Sequence, residues 1–195
     1  MKKVSTYLFL IFFSFQTSSL PDDIRDFQIE GISIGDSLLD YFSEEEIKHF
    51  EVGYYKKDKT FNASNFSGFP FFKVYDVVQV HFKNNKKYII YGISGIIYYK
   101  KNINDCYKRM DKIANDLSNL FKNARRDDRG TEKLDIGLSK DSKVTSVVYW
   151  LKSSEVVSVA CYDWAKEDED DGETDILRVT IDTAELNTWL VEKAY

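Results

Sequence analysis

The chain has 195 residues, a formal net charge of -5 and an aromatic content of 15%. An acidic chain repels the phosphates of nucleic acids and the anionic surface of a membrane, so neither is expected as a partner. The length suffices for one domain with a sizeable core and is too short for two ordinary ones.

Residues 1–19 have the layout of a secretory signal peptide. Two lysines precede an apolar run at residues 4–15, and small polar residues follow it. The run is shorter than the about 20 residues that a membrane-spanning helix needs. We therefore predict a signal peptide at 1–19, a single exported domain at 20–195 and no stable membrane span after cleavage. An uncleaved membrane anchor is the alternative.

The first half of the domain predicts short helical turns followed by strands. The turn Gly35-Asp36-Ser37 can cap one short helical turn. Ser43 and Glu46 form a capping box, in which each side chain bonds the other's backbone N–H, at the start of a second. Residues 51–70 indicate a short strand and then a loop. Residues 71–82 alternate apolar and polar side chains as a half-buried strand does, and 88–99 predict a second strand.

The second half contains the clearest helix. Apolar residues recur at spacings of four and three from Cys106 to Leu120, which places them on one side of a helix. Residues 123–143 are charged and predict a loop, with at most a short edge strand. Residues 145–151 and 156–164 predict a hairpin.

A strand at 176–181 and a final helix capped by Asp182 and Thr183 complete the pattern. Hairpin-length connections favour antiparallel pairing. The sequence therefore predicts an α+β fold: a largely antiparallel sheet with one long and two short helices packed on one face.

The two cysteines are expected to meet. Cys106 begins the apolar side of the long helix, and Cys161 shares a strand face with Val157 and Val159. Exported proteins meet an oxidising environment, where two such thiols become a disulfide. Two separate buried thiols are the alternative.

Gly35-Asp36-Ser37-Leu38 resembles the signature of the GDSL esterases and lipases. The resemblance implies that Ser37 is a nucleophile. That family also needs a G-x-N-D block, of which Asn102 to Asp105 is a degraded version, and a late D-x-x-H block, which is missing because no histidine follows His81. A serine without a base is a poor nucleophile, and Asp36 or Ser37 capping a helix explains the same residues.

No metal or cofactor is expected. His49 and His81 are the only histidines, and they lie in different predicted elements, so a zinc site is poorly supported. The acidic run at 167–175 lacks the final glutamate of a calcium loop, because Arg178 occupies that position. A solvated hairpin loop is predicted there, with weak divalent-cation binding as the alternative.

Three aromatic residues, Phe61, Phe66 and Phe69, lie among small polar residues in the predicted loop. Apolar rings on a flexible polar loop are a candidate contact surface. The alternative is that they fold back over the sheet edge and cover the core.

The segment Ile29 to Leu39, together with the Cys106 helix and the Val159 to Trp164 strand, resembles small exported proteins of unassigned function from marine alphaproteobacteria. The resemblance implies a bacterial periplasmic location and agrees with a cysteine pair, but it implies no activity. We therefore predict a non-catalytic periplasmic domain that binds a protein or an envelope component. A small serine esterase using Ser37 is the alternative.

Overall fold

The computed structural model of the protein describes residues 24–55, 57–100, 102–134, 137 and 139–194. The predicted signal peptide lies outside these residues. The described α-helices are α1 (Glu44–His49), α2 (Ile103–Leu120), α3 (Lys166–Asp170) and α4 (Ala184–Glu192). The described strands are β1 (Gln28–Ile29), β2 (Ile32–Ser33), β3 (Glu51–Val52), β4 (Phe61–Ser67), β5 (Val77–Lys83), β6 (Ile90–Tyr98), β7 (Arg125–Lys133), β8 (Lys143–Trp150), β9 (Val156–Asp163) and β10 (Ile176–Asp182).

Eight strands form one antiparallel sheet in the order β3-β4-β5-β6-β10-β9-β8-β7, and β1 and β2 form a separate pair. Helix α2 carries the chain from β6, in the middle of the sheet, to β7 at its edge. The following strands return inward until β10 pairs with β6. This is the α+β fold with an antiparallel sheet that the sequence predicts.

One face of the sheet, which we call the front face, is covered in part by α2. The helix buries Cys106, Met110, Ala114 and Leu117 on the side predicted from their spacing. These side chains share one hydrophobic core with front-facing residues of β8, β9 and β10. Burial of each large apolar side chain in such a core stabilises the fold by roughly 1.5–3 kcal/mol.

The N-terminal segment covers the rest of the front face. Ser43 caps α1 through the predicted capping box, because its hydroxyl accepts from the Glu46 N–H and the Glu46 carboxylate accepts from the Ser43 N–H. Before this helix, Phe42 stacks on Phe66 of β4 with ring centroids 3.8 Å apart. The short helical turns therefore serve to bring aromatic rings onto the sheet.

Cys106 and Cys161 form the predicted disulfide, with their Cα atoms 6.1 Å apart. It fastens α2 to β9 across the helix–sheet interface. Such a crosslink is compatible with an exported protein. Among the described residues, no helix has the length and apolar character needed to cross a membrane.

The opposite face, which we call the back face, carries α4. Leu186 and Trp189 of this helix pack with Phe61 and Tyr55 in a second, smaller hydrophobic cluster. Gly92 of β6 makes the approach possible, because a Cβ atom there would come closer to Leu186 than the 3.0 Å that real Cβ atoms keep. The helices thus lie on both faces of the sheet, whereas the sequence pattern placed them on one.

Two predicted loops contain regular structure. Residues 61–67 form β4, because it hydrogen-bonds along its whole length to β5. Within 123–143, residues 125–133 form the edge strand β7, longer than predicted, with a bulge between Asp128 and Gly130. Exposed charges and bulges are common on edge strands, where they oppose pairing with other chains. Charged composition therefore concealed a strand here.

Candidate functional site: a platform on the open sheet face

The back face beyond α4 presents nine side chains on β6, β10 and β9, which we call the platform. Strand register places them in three rows of three, because residues paired across adjacent strands lie side by side. The rows are Tyr98, Ile176 and Tyr162; Ile96, Arg178 and Ala160; and Ser94, Thr180 and Ser158. With strands about 4.8 Å apart, the platform is about 10 Å wide across the strands.

The central strand shows that this face is open to solvent. From Ile176 to Asp182, the side chains of β10 alternate between half-exposed and buried. The buried residues point to the front core, and the half-exposed ones, including Arg178 and Thr180, point to the back. Six of the nine platform residues are half-exposed or exposed, whereas Ile96, Ala160 and Ser94 are buried, at 8%, 8% and 0% exposed. The platform is therefore a partly solvent-facing surface whose base is buried.

The first row is aromatic. Tyr98 is 43% exposed, which leaves much of its ring available for contact. Tyr162 stacks on Trp164, with ring centroids 6.4 Å apart, and this contact holds its ring in place. An open depression of about 410 Å³ adjoins Tyr98 and is bordered by Lys100 and Asp76. The Asp76 carboxylate accepts a hydrogen bond from the Tyr98 N–H at 2.8 Å, which fixes the end of β6.

The middle row has a cationic residue, Arg178, as its central member. Arg178 lies between Ile96 and Ala160, and one of its guanidinium NH₂ groups donates to Oε1 of Gln79. No ion pair joins Arg178 to a carboxylate among the described residues. The Gln79 bond orients the planar guanidinium and leaves donors on it for another group.

The third row is hydroxylic. Ser94 and Thr180 lie opposite each other, and their hydroxyl oxygens are 2.9 Å apart. The polar row continues on β5 and β4, where the Gln79 amide donates to Asn65 Oδ1 at 2.7 Å. Asn65 in turn donates to the hydroxyl of Tyr54 at 3.0 Å. Ser94 and Gln79 are buried, at 0% and 4% exposed, so the half-exposed Thr180, Ser158 and Asn65 are the residues of these rows that offer donors and acceptors to a ligand.

Two buried polar atoms lie at the covered end of the back face. His81 Nδ1 and Asp182 Oδ1 have no hydrogen-bond partner among the described residues, and Gly92 lies between the two side chains in register. Burial lowers the pKa of His81 to about 3 and raises that of Asp182 to about 7, and the positive charge of Arg178 lowers both. The His81 Nε2 atom is 2.7 Å from the Tyr55 hydroxyl.

This pair is a feature of the fold and not a ligand site. Leu186 and the Asp182 carboxylate already fill the space above Gly92. The imidazole is neutral at physiological pH because its pKa is far below 7. The buried Asp182 carboxyl, with its raised pKa, makes the stability of the fold depend on pH.

Ser37 is the N-cap of a short 3-10 helix, Leu38–Asp40. Its hydroxyl donates to the Lys87 carbonyl at 2.9 Å and accepts from the Leu39 N–H at 3.2 Å. Neither His49 nor His81 is among its hydrogen-bond partners in the described chain. With its proton directed to a carbonyl, the hydroxyl has no base to activate it.

The predicted contact surface of Phe61, Phe66 and Phe69 does not form as proposed. Phe61 is 1% exposed and Phe66 is 0% exposed, so as a contact surface the prediction is wrong for these two rings. Because their positions differ by an odd number on one strand, they point to opposite faces and enter different cores. Phe69 is half-buried and packs on Phe42, with ring centroids 4.9 Å apart.

The acidic run contains α3 rather than loop alone. Asp168 is buried, and its carboxylate accepts from the Ser139 N–H at 3.2 Å and from the Ser142 hydroxyl. It therefore fastens residues 139–142, which lead into β8, to α3. Asp175 accepts from the Trp164 N–H at 2.8 Å. Within the described ranges, no group of three or more His, Cys, Asp or Glu side chains is placed to hold a metal ion.

Sequence reasoning predicted the strands of the platform but did not identify it as a site. The available signal was the alternation at 176–182, in which Arg178 and Thr180 interrupt apolar neighbours. That pattern indicates one solvent-facing side. It does not say that Tyr98, from a strand about 80 residues earlier, lies beside them, because this depends on the pairing of β10 with β6.

Comparison with known proteins gives no match to a family model, to a curated protein or to a solved structure.

Proposed function

We propose that the protein is a non-catalytic exported domain that binds a polysaccharide component of the bacterial envelope through the platform. The observation that carries the proposal is the register of β6, β10 and β9. It sets an exposed tyrosine, a half-exposed arginine and the half-exposed hydroxyls of Thr180 and Ser158 side by side on the solvent-facing part of the back face.

The chemistry of the rows fits a sugar chain. A pyranose ring has an apolar C–H face that packs on an aromatic ring such as Tyr98, and binding sites combine such surfaces with a few polar groups that fix orientation. Its hydroxyls can donate to and accept from Thr180 and Ser158. A flat face suits a chain that lies across several strands, because each strand adds another contact.

A protein partner fits the platform less well. Stable protein interfaces have a fully buried core that is rich in aromatic and apolar side chains. The platform has one largely exposed ring, and its other two rows carry a cation and hydroxyls. Other exposed large apolar residues of the described chain, such as Leu39 and Val191, lie outside it.

The non-catalytic assignment is supported by how the hydroxyls are engaged. Ser94 and Thr180 hydrogen-bond each other at 2.9 Å, and Ser37 donates to a backbone carbonyl. A serine or threonine needs an adjacent base to become a nucleophile. A periplasmic location is supported by the disulfide and by the sequence resemblance to exported alphaproteobacterial proteins.

The test is affinity electrophoresis of the full exported chain in gels that contain dextran, mixed-linkage β-glucan, pectin or polygalacturonate, with a sedimentation assay on peptidoglycan sacculi. Tyr98→Ala is compared with Phe71→Ala, because the two rings are about equally exposed, at 43% and 40%, and Phe71 lies away from the platform, against Phe42 and Phe69. We expect retardation by at least one polymer and an about tenfold loss of affinity in Tyr98→Ala, since one stacked ring contributes on the order of 1 kcal/mol or more.

Phe71→Ala should bind as the unmodified chain does. Absence of retardation by every polymer and of sedimentation with sacculi would contradict the proposal. An equal loss of polymer affinity in the two variants would also contradict the proposal, because the binding would then not depend on the platform in particular.

A further inference from the structure

We infer that the platform selects polysaccharides that carry an oxyanion, and that Arg178 is the residue that recognises it. The inference rests on the proposed function and goes beyond it, because it names the chemical class of the ligand.

The position of Arg178 is the first reason. It stands at the centre of the three rows, with the aromatic row on one side and the hydroxyl row on the other. Its guanidinium reaches across β6 to Gln79 on β5, which pairs with Ser94 of the hydroxyl row. A sugar chain running along β6 from Tyr98 to the hydroxyl row would therefore pass the guanidinium. No other cation lies among the nine residues of the platform.

The hydrogen bonding of Arg178 is the second reason. A guanidinium has five N–H donors. In the described chain, Gln79 accepts from one NH₂ group, and no carboxylate pairs with the side chain. By contrast, Arg126 and Arg129 on the edge strand β7 form ion pairs with Asp128 and Asp127. Arg178 is half-exposed and thus keeps guanidinium donors that no described carboxylate occupies.

The surrounding charge is the third reason. The whole chain has a net charge of -5, so an exposed cation on its back face contrasts with the rest of the molecule. Lys100, whose Nζ lies 5.9 Å from the Tyr98 ring centroid, is at the border of the platform, where Asp76 and Asp105 line the same depression and oppose its charge. Arg178 is therefore the cation that an anionic ligand would meet on the platform itself. The nearest carboxylate in register, Asp182, is buried, and its pKa of about 7 leaves it partly uncharged at neutral pH.

Carboxylate and phosphate each present two adjacent oxygen acceptors, which a guanidinium can bind with two parallel N–H···O hydrogen bonds. A uronic acid and a sugar phosphate are therefore both candidates, and the probes separate them. Polygalacturonate supplies a carboxylate, and its fully methyl-esterified form supplies the same backbone without charge. Phosphomannan and neutral mannan form the corresponding phosphate pair.

Binding to each polymer is measured by affinity electrophoresis at low and high salt, for the unmodified full chain and three variants. Arg178→Gln removes the charge, Arg178→Lys keeps the charge but not the fork, and Arg129→Gln is the control on a different surface. We expect the unmodified chain to prefer one charged polymer over its neutral form by about tenfold or more, and the preference to weaken with salt.

Arg178→Gln should lose this preference, so that it binds the charged and neutral forms equally, and Arg178→Lys should keep part of the preference. Circular dichroism checks that each variant is folded, and the ratio of the affinities for the charged and neutral forms is compared within each variant. Arg129→Gln should behave as the unmodified chain does.

Three results would overturn the inference. Equal binding to charged and neutral forms would leave the proposed function standing without anion selection. A preference that persists in Arg178→Gln would assign it to another cation, such as Lys100. Absence of binding to any polysaccharide would remove the inference together with the proposed function.

Discussion

Asp182→Asn is expected to make the protein more stable at alkaline pH and to leave it nearly unchanged at acidic pH. Asp182 Oδ1 is buried without a hydrogen-bond partner in the described chain, and burial raises the pKa of this carboxyl from 3.8 to about 7. A carboxyl whose pKa is raised by folding favours the folded state only while it is protonated. Its contribution is fully present below pH 3.8 and is lost as the pH rises through 7.

The cost of ionising Asp182 in the folded protein reaches roughly 4 kcal/mol above pH 7, from a shift of the pKa from 3.8 to about 7. This is an upper figure, because the residue keeps some exposed surface although its Oδ1 atom is buried. About 3 kcal/mol of it develops between pH 4.5 and pH 8.5. Asparagine has nearly the same shape and cannot ionise, so the variant avoids this cost.

The assay is urea-induced unfolding at pH 4.5, 6.5 and 8.5, followed by tryptophan fluorescence. The quantity of interest is the free energy of unfolding of Asp182→Asn minus that of the unmodified chain. It should rise by about 2–3 kcal/mol from pH 4.5 to pH 8.5. The titration of His81 contributes equally to both proteins and cancels in the difference.

Glu132→Gln, an exposed carboxylate on β7, is the control and should give a difference that does not change with pH. A pH-independent difference for Asp182→Asn would refute the reasoning, because the carboxylate would then be as well solvated in the folded state as in the unfolded chain. A variant that is less stable by the same amount at every pH would instead indicate a hydrogen bond that the carboxylate makes and the amide cannot.

Three further changes test the covered end of the sheet and the disulfide. Tyr55→Phe removes the 2.7 Å hydrogen bond to His81 Nε2 and should lower the free energy of unfolding by about 1–3 kcal/mol in urea denaturation at pH 7.5; an unchanged midpoint would mean that the bond contributes nothing. Gly92→Ala should destabilise by about 1–3 kcal/mol, because its Cβ would collide with α4, whereas Gly53→Ala, with open space around it, should change the melting temperature little. Reduction of the disulfide, which joins residues separated by 55 positions, should cost about 4 kcal/mol in the chain-entropy model, measured as the shift in unfolding midpoint with and without reductant. A midpoint that does not move would mean that the bond constrains neither the folded nor the unfolded chain.

Local patterns sufficed to predict much of the architecture. The stripe from Cys106 to Leu120 predicted α2, because helical periodicity is a property of neighbouring residues. The capping box at Ser43 predicted the start of α1 for the same reason. The cysteine pair followed from placing each residue on the buried side of its own element.

The errors arose where tertiary pairing overrides local composition. Phe61 to Ser67 resembles a polar loop when read alone, yet pairing with β5 on one side and β3 on the other makes it an inner strand. The charged residues of β7 are tolerated because only one edge of that strand is paired. The platform itself needed the register between β6 and β10, which no local pattern contains.

One half of the back face is covered by α4 and the other is not, because the first carries apolar side chains and the second carries polar ones. Around Gly92, the ring of Phe61 and the small Ala63 give α4 an apolar surface to bury, and the missing Cβ lets Leu186 approach the sheet. Across Arg178 and Thr180, a covering helix would bury a cation and hydroxyls, each of which costs free energy unless it finds a new partner. The open half is therefore maintained by its own polarity. The residues that prevent the chain from covering this face are those that we propose to contact a ligand.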